Sequence, residues 1–143
     1  MDDLVRAARA LAFASRSLER AAGDLTLAQF RVLSLVAGGD ERSSLLAERL
    51  AVAKPTITAV VDGLVERGLV AREAVEGDRR SLRLTLTKQG ASALRAAERE
   101  MVAVIETVRA YASDGDALVA ALCDLDDALT ARTQARLRGE VRA

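Results

Sequence analysis

The side chains of this sequence that can do chemistry are mainly cations and hydroxyls, concentrated in one stretch. Lys54, Thr56 and Thr58 bring an ammonium and two hydroxyls within five residues, with Pro55 among them. Arg72, Arg79, Arg80 and Arg83 follow. Such groups hold phosphate oxygens and touch base edges; they are poor at breaking bonds. The usual catalytic sets are missing. There is no histidine, which removes the commonest general base and the common zinc ligand sets. The one cysteine, Cys123, can form no intrachain disulfide. Asp124 and Asp126 beside it disfavour a thiolate, so it reads as a small apolar residue next to Leu122. No Gly-rich phosphate loop and no nucleophile–base pair occur. The expectation is a binding protein with no cofactor and no metal, not an enzyme.

The elements around these residues follow from periodicity. Leu4, Ala8, Leu11, Ser15, Leu18 and Ala22 step by four and three, one stripe of a helix over residues 2–22 that Gly23 ends. Thr26 and Gln29 have the spacing of a capping box, with Leu25 and Phe30 placed as a hydrophobic staple. The helix they open is apolar nearly all round and stops at Gly38-Gly39. A short third helix spans residues 44–50, capped by Ser43 or Ser44. After the turn Ala51-Val52-Ala53, a fourth helix runs from Lys54 to Arg67, with Pro55 in its first turn, where a missing N–H is harmless. Ile57, Val60, Val61, Leu64 and Val65 share one face; Pro55, Thr58, Ala59, Asp62 and Glu66 share the other. Gly68 ends it.

The period then changes to two. Val70, Arg72 and Ala74, and then Leu82, Leu84 and Leu86, alternate with their neighbours around Glu76-Gly-Asp-Arg-Arg80. This predicts a hairpin with Gly77-Asp78 at its tip. Thr87 caps a long helix marked by Ala91, Leu94, Ala97, Met101, Val104, Val108 and Tyr111. Residues 113–116 break it, and a last helix carries Leu118, Leu122, Leu125 and Leu129. The fold class is mainly α with a small β-hairpin.

A short helix, a tight turn and a second helix form a helix-turn-helix, whose second helix offers its N-terminal half to the major groove of double-stranded DNA. A hairpin just after it reaches the neighbouring minor groove, where arginine is favoured. Total charge argues the other way: 21 Lys and Arg balance 21 Asp and Glu. Any DNA affinity must come from local clustering, and from Lys54 to Lys88 seven cations stand against five anions. Aromatics are 2%, so the core is Leu, Val and Ala. No apolar run approaches the roughly 18 residues of a membrane span, and the acidic start lacks a signal-peptide layout. A soluble, cytoplasmic protein is expected.

The run Leu50-Ala-Val-Ala-Lys-Pro-Thr-Ile-Thr-Ala-Val-Val-Asp-Gly-Leu-Val-Glu-Arg-Gly-Leu-Val70 resembles the recognition region of the MarR family. Gly77-Asp-Arg-Arg-Ser-Leu-Arg-Leu-Thr-Leu-Thr-Lys-Gln-Gly90 resembles that family's wing with its Leu-Thr-x-x-Gly ending, and Leu25-Thr-Leu-Ala-Gln-Phe30 matches its second-helix opening. The resemblance covers essentially the whole chain. It implies one winged helix-turn-helix domain over 1–143, with the DNA-binding lobe at 26–90 and dimerisation helices at 1–22 and 91–143. It implies a homodimeric transcriptional regulator on a pseudo-palindromic operator, often a repressor released by a small phenolic or aromatic effector. Ala59 stands where the family often has Arg, Gly63 where a charge is frequent, and Ala53 where a capping Ser is common. The cysteine of the family's peroxide sensors, near the first helix, is absent.

The expected DNA-contacting set is Ser44, Lys54, Pro55, Thr56, Thr58, Arg72, Arg79, Arg80 and Arg83. Asp62 and Asp78 would repel phosphate, so they are assigned to holding wing arginines. Leu4, Ala8, Leu11, Leu18, Val108, Leu118, Leu122, Leu125 and Leu129 are assigned to dimerisation, because helices at opposite ends of the sequence need a partner for their apolar stripes. Arg16, Phe30 and Met101 are candidate borders of an effector cavity, with ordinary packing as the alternative. Zero net charge, Ala59 and Gly63 keep a second function open: a winged-helix protein-interaction module that has lost DNA binding.

Overall fold

The computed structural model describes residues 1–39 and 42–139, and residues 78–81 by their backbone. The element order is α1 (Asp2–Ala21), α2 (Leu27–Ala37), α3 (Ser43–Leu50), α4 (Lys54–Glu66), β1 (Val70–Val75), β2 (Asp78–Leu86), α5 (Lys88–Tyr111) and α6 (Gly115–Leu137). Two compact units divide within α5: Met1–Val104 and Ile105–Ala143.

In the first unit the core is aliphatic. Val32, Leu33, Leu46, Ile57, Val61, Leu64 and Leu84 are fully buried, so α2, α3, α4 and the hairpin each insert at least one side chain. Leu94, Ala97 and Met101 of α5 join the same cluster, and Leu18 of α1 packs against it. Local signals set the helix limits. Thr26 Oγ1 accepts from the Gln29 N–H at 3.1 Å while Gln29 Oε1 accepts from the Thr26 N–H at 3.1 Å, the reciprocal pair of a capping box. The third helix departs from its expected start: Arg42 is the N-cap, with no side-chain bond, and both serines lie inside the helix.

The end of α4, the start of β1, the end of β2 and the start of α5 meet at one hydroxyl. Thr87 Oγ1 donates to the Gly68 carbonyl at 2.7 Å and accepts from the Gly90 N–H at 2.9 Å. Gly68 follows the last residue of the α4 cap at φ +68°, a conformation natural to glycine. Gly90 has a different reason: a Cβ there would lie 1.8 Å from the Leu69 carbonyl oxygen, so only a hydrogen fits. The Leu-Thr-x-x-Gly pattern is thus a packing device that ties the hairpin to the helix before it.

In the second unit, Asp114 caps α6 by accepting from the Ala117 N–H at 2.9 Å. Arg109 spans the elbow, donating to Asp116 at 2.5 Å and to Glu106 at 3.2 Å. The hydrogen bond to Asp116, then that to Glu106, holds its guanidinium above the ordinary arginine range. Neither α1 nor α6 has a buried residue; Leu4 is 73% exposed and Leu129 51%. Ala8, Leu11 and Val108 are also exposed, while Leu118, Leu122 and Leu125 are half-buried. Cys123 is exposed, not packed beside Leu122 as expected, because it lies about 100° round the helix from it. Among the described residues no helix is long and apolar enough to cross a membrane.

Candidate nucleic-acid interface

The turn between α3 and α4 is sharp. Ala51 ends α3 in the left-handed region at φ 53°, the Val52 N–H reaches the Ala47 carbonyl at 3.1 Å and the Ala51 N–H reaches Glu48 at 3.3 Å. This is the Schellman pattern, usually completed by glycine. It reverses the chain within three residues and starts α4 at Lys54. Ala53 is the N-cap and has no side-chain oxygen to satisfy the helix's first N–H groups.

The amphipathic pattern of α4 decides what it presents. Ile57, Val61 and Leu64 are buried, so the opposite sector faces solvent, and Lys54, Pro55, Thr56, Thr58 and Ala59 are all exposed. Ser44 is exposed in the first turn of α3. Thr58 is already partly committed: its hydroxyl donates to the Lys54 carbonyl at 3.0 Å.

The hairpin corrects two expectations. Its connection is Glu76-Gly77, with Gly77 at φ +85°, and Asp78 begins β2. The Asp-Arg-Arg run therefore lies on the strand and not at the tip; Val75 pairs with Asp78 and the register then jumps to Ala74↔Leu82. The side chains of Asp78, Arg79 and Arg80 lie outside the described residues, so their assigned roles rest on the sequence.

The second correction is Arg72. It pairs in register with Leu84, and paired residues project from the same face of a hairpin. Leu84 is 1% exposed, so this is the inward face. Arg72 accordingly donates to Asp62 of α4 in an ion pair, where the sequence had suggested a phosphate contact. Arg83 pairs in register with Glu73, one position along and hence on the other face, and is exposed. Alternation alone carried this signal, since Arg72 falls between Val70 and Ala74.

One positioning residue had no sequence signal. Arg67 donates to the Asp24 carbonyl and to Gln29 Oε1, both at 3.0 Å. It pins the C-terminal end of α4 to the start of α2, across about forty residues of chain. Together Arg67, Arg72 and Thr87 hold α4 at its far end and leave its first two turns projecting.

The three cavity candidates differ in burial. Met101 is core, Phe30 packs against the core, and Arg16 is an exposed partner of Glu19 at 3.8 Å. A cleft of about 400 Å³ does open in this unit, but it is formed by Ala22–Leu25, Arg67, Leu69 and the first turns of α5, without any of them.

This geometry, a projecting helix after a tight turn with a hairpin strapped beside it, has relatives. Residues 23–81 match the model of the MarR family. That stretch holds α2, α3, α4, β1 and the start of β2, and over it the chain is similar to the MarR family. Among solved structures with the same MarR fold, RV1404 from Mycobacterium tuberculosis is 27% identical with a TM-score of 0.71, covering 89% of each chain. A MarR-family transcriptional regulator from Rhodococcus sp. RHA1 is 24% identical with a TM-score of 0.71, covering 87% of this chain and 89% of that one. CouR from Rhodococcus jostii RHA1, solved bound to p-coumaroyl-CoA, is 24% identical with a TM-score of 0.67, covering 82% of this chain and 84% of that one. A comparison with curated proteins returned no match.

Proposed function

We propose that this chain is a DNA-binding transcriptional repressor, acting as a homodimer on a pseudo-palindromic operator and released by a small phenolic or aromatic ligand. The observation that carries the DNA-binding part is the exposure of Lys54, Pro55, Thr56, Thr58 and Ala59 over a fully packed opposite face. A helix held at its C-terminal end and bare at its start suits insertion into a major groove. Dimerisation is supported by the exposure of Leu4, Ala8 and Leu11 on the apolar stripe of α1, and by that of Val108 and Leu129. A carbon-rich effector is supported by the ligand that CouR holds.

The direct test is fluorescence anisotropy with DNA from upstream of the coding sequence, across a salt series. Binding should weaken linearly in log–log form as salt rises, with Lys54→Ala reducing the slope by about one. Replacing Arg79 and Arg80 together by Ala should weaken binding to every sequence. Salt-independent binding, or no effect of the double replacement, would overturn the proposal.

A second reading is a protein-interaction module without DNA affinity. Glu66 continues the exposed sector of α4, and an anion there opposes a phosphate backbone. Failure to select any fragment from a genomic library, together with saturable capture of one protein partner, would favour it.

A further inference from the structure

The chemistry of the exposed face of α4 narrows what it can read; this rests on the DNA-binding proposal above. Residues 54–60 contain no Arg, Asn or Gln, so among the side chains that grip guanine or adenine through two hydrogen bonds only Lys54 is present, at the first position of the helix. Pro55 and Ala59 are four residues apart, about 40° round the helix, and form the centre of the exposed sector. Both are apolar. Thr58 flanks them, and its only hydroxyl hydrogen is spent on the Lys54 carbonyl. What Thr58 has left for a ligand is a methyl group and an acceptor lone pair. Arg72 is drawn towards Asp62, to which it gives one N–H. Two turns further on, Glu66 brings an exposed negative charge to the same sector, which favours close approach at the first two turns.

We infer that α4 reads its half-site through the C5-methyl groups of thymine, with Pro55, Thr58 and Ala59 as the specificity-determining surface. Thymine is the unmodified base that presents an apolar group in the major groove. Lys54 and Thr56 lie at the edges of the patch, where they can reach a phosphate or, for Lys54, a guanine beside the thymines.

Uracil for thymine removes that methyl and leaves Watson–Crick pairing unchanged. The experiment takes the tightest-binding upstream duplex and replaces each thymidine by deoxyuridine, one symmetric pair at a time. Burying one methyl is worth about fourfold in affinity, so a contacted pair should weaken the dimer about fifteenfold. Thr58→Ser keeps the hydroxyl and its bond to Lys54 but removes the side-chain methyl. In that variant the deoxyuridine penalty at the matching position should shrink towards unity. Tight thymidine binding that stays within twofold on full deoxyuridine substitution would overturn the inference. So would an equal loss at thymines outside the half-sites, which reports altered duplex stiffness. If the thymidine duplex itself is not bound, the DNA-binding proposal fails instead.

Discussion

Thr87→Val isolates the junction that joins the wing to α4. Valine keeps the shape of threonine and exchanges the hydroxyl for a methyl, so two hydrogen bonds are lost without a cavity. They are unequal. The Gly68 carbonyl belongs to an exposed residue, and water can replace its donor. The Gly90 N–H belongs to a buried residue at the first turn of α5, and nothing replaces Thr87 Oγ1 there. A buried, unsatisfied donor costs about 1–3 kcal/mol, against about 0.5 kcal/mol or less for the solvated carbonyl. The expected loss is therefore about 2 kcal/mol. At a urea slope of about 2 kcal/mol/M this lowers the unfolding midpoint by about 1 M. Thr87→Ser retains both bonds and should stay within about 0.5 kcal/mol of the natural protein. The assay is urea unfolding followed by circular dichroism at one fixed protein concentration, because dimerisation makes stability concentration-dependent. A valine variant indistinguishable from the parent, or a serine variant as unstable as the valine one, would refute the reasoning.

Other consequences are simpler. Arg72→Ala and Asp62→Ala should each destabilise only slightly, with a coupling of about 0.5 kcal/mol in a double-mutant cycle, because both side chains are partly exposed; additive losses would mean the pair is inert. Ala53→Ser supplies the missing cap on α4 and should raise stability by about 1 kcal/mol by chemical denaturation; no gain would mean that water already satisfies those N–H groups. Ala51→Val places a branched side chain at φ 53° and should cost at least about 1 kcal/mol, whereas Ala51→Gly should cost nothing; equal effects would exclude backbone strain as the cause. Leu11→Asp on the exposed stripe of α1 should halve the mass seen by light scattering and leave the helix content of the lobe intact; an unchanged mass would remove α1 from the dimer interface.

Much of the interface was legible in advance because its signals are local. A helix stripe depends on residues three and four apart, and a capping box on residues three apart, so Thr26, Gln29, Thr87 and the buried face of α4 could be read from spacing. The hairpin was legible as alternation, but its tip moved: the connection is Glu76-Gly77, and the Asp-Arg-Arg run belongs to a strand with an irregular register. The cap on α3 was misplaced because two adjacent serines offer the same chemistry and the structure uses neither.

What spacing alone determined is which residues share a side of each element, since that depends only on helical and extended periodicity. What the folded chain decided is which polar groups meet across those sides. Arg72 shares a face with Leu84 by alternation, yet that Asp62 lies opposite depends on how the hairpin lies on α4. Arg67 finds Gln29 and Asp24 only because the core brings the end of α4 to the start of α2. Those long-range bonds have no periodic trace in the sequence, because they arise from packing of distant segments, and they leave the first two turns of α4 exposed.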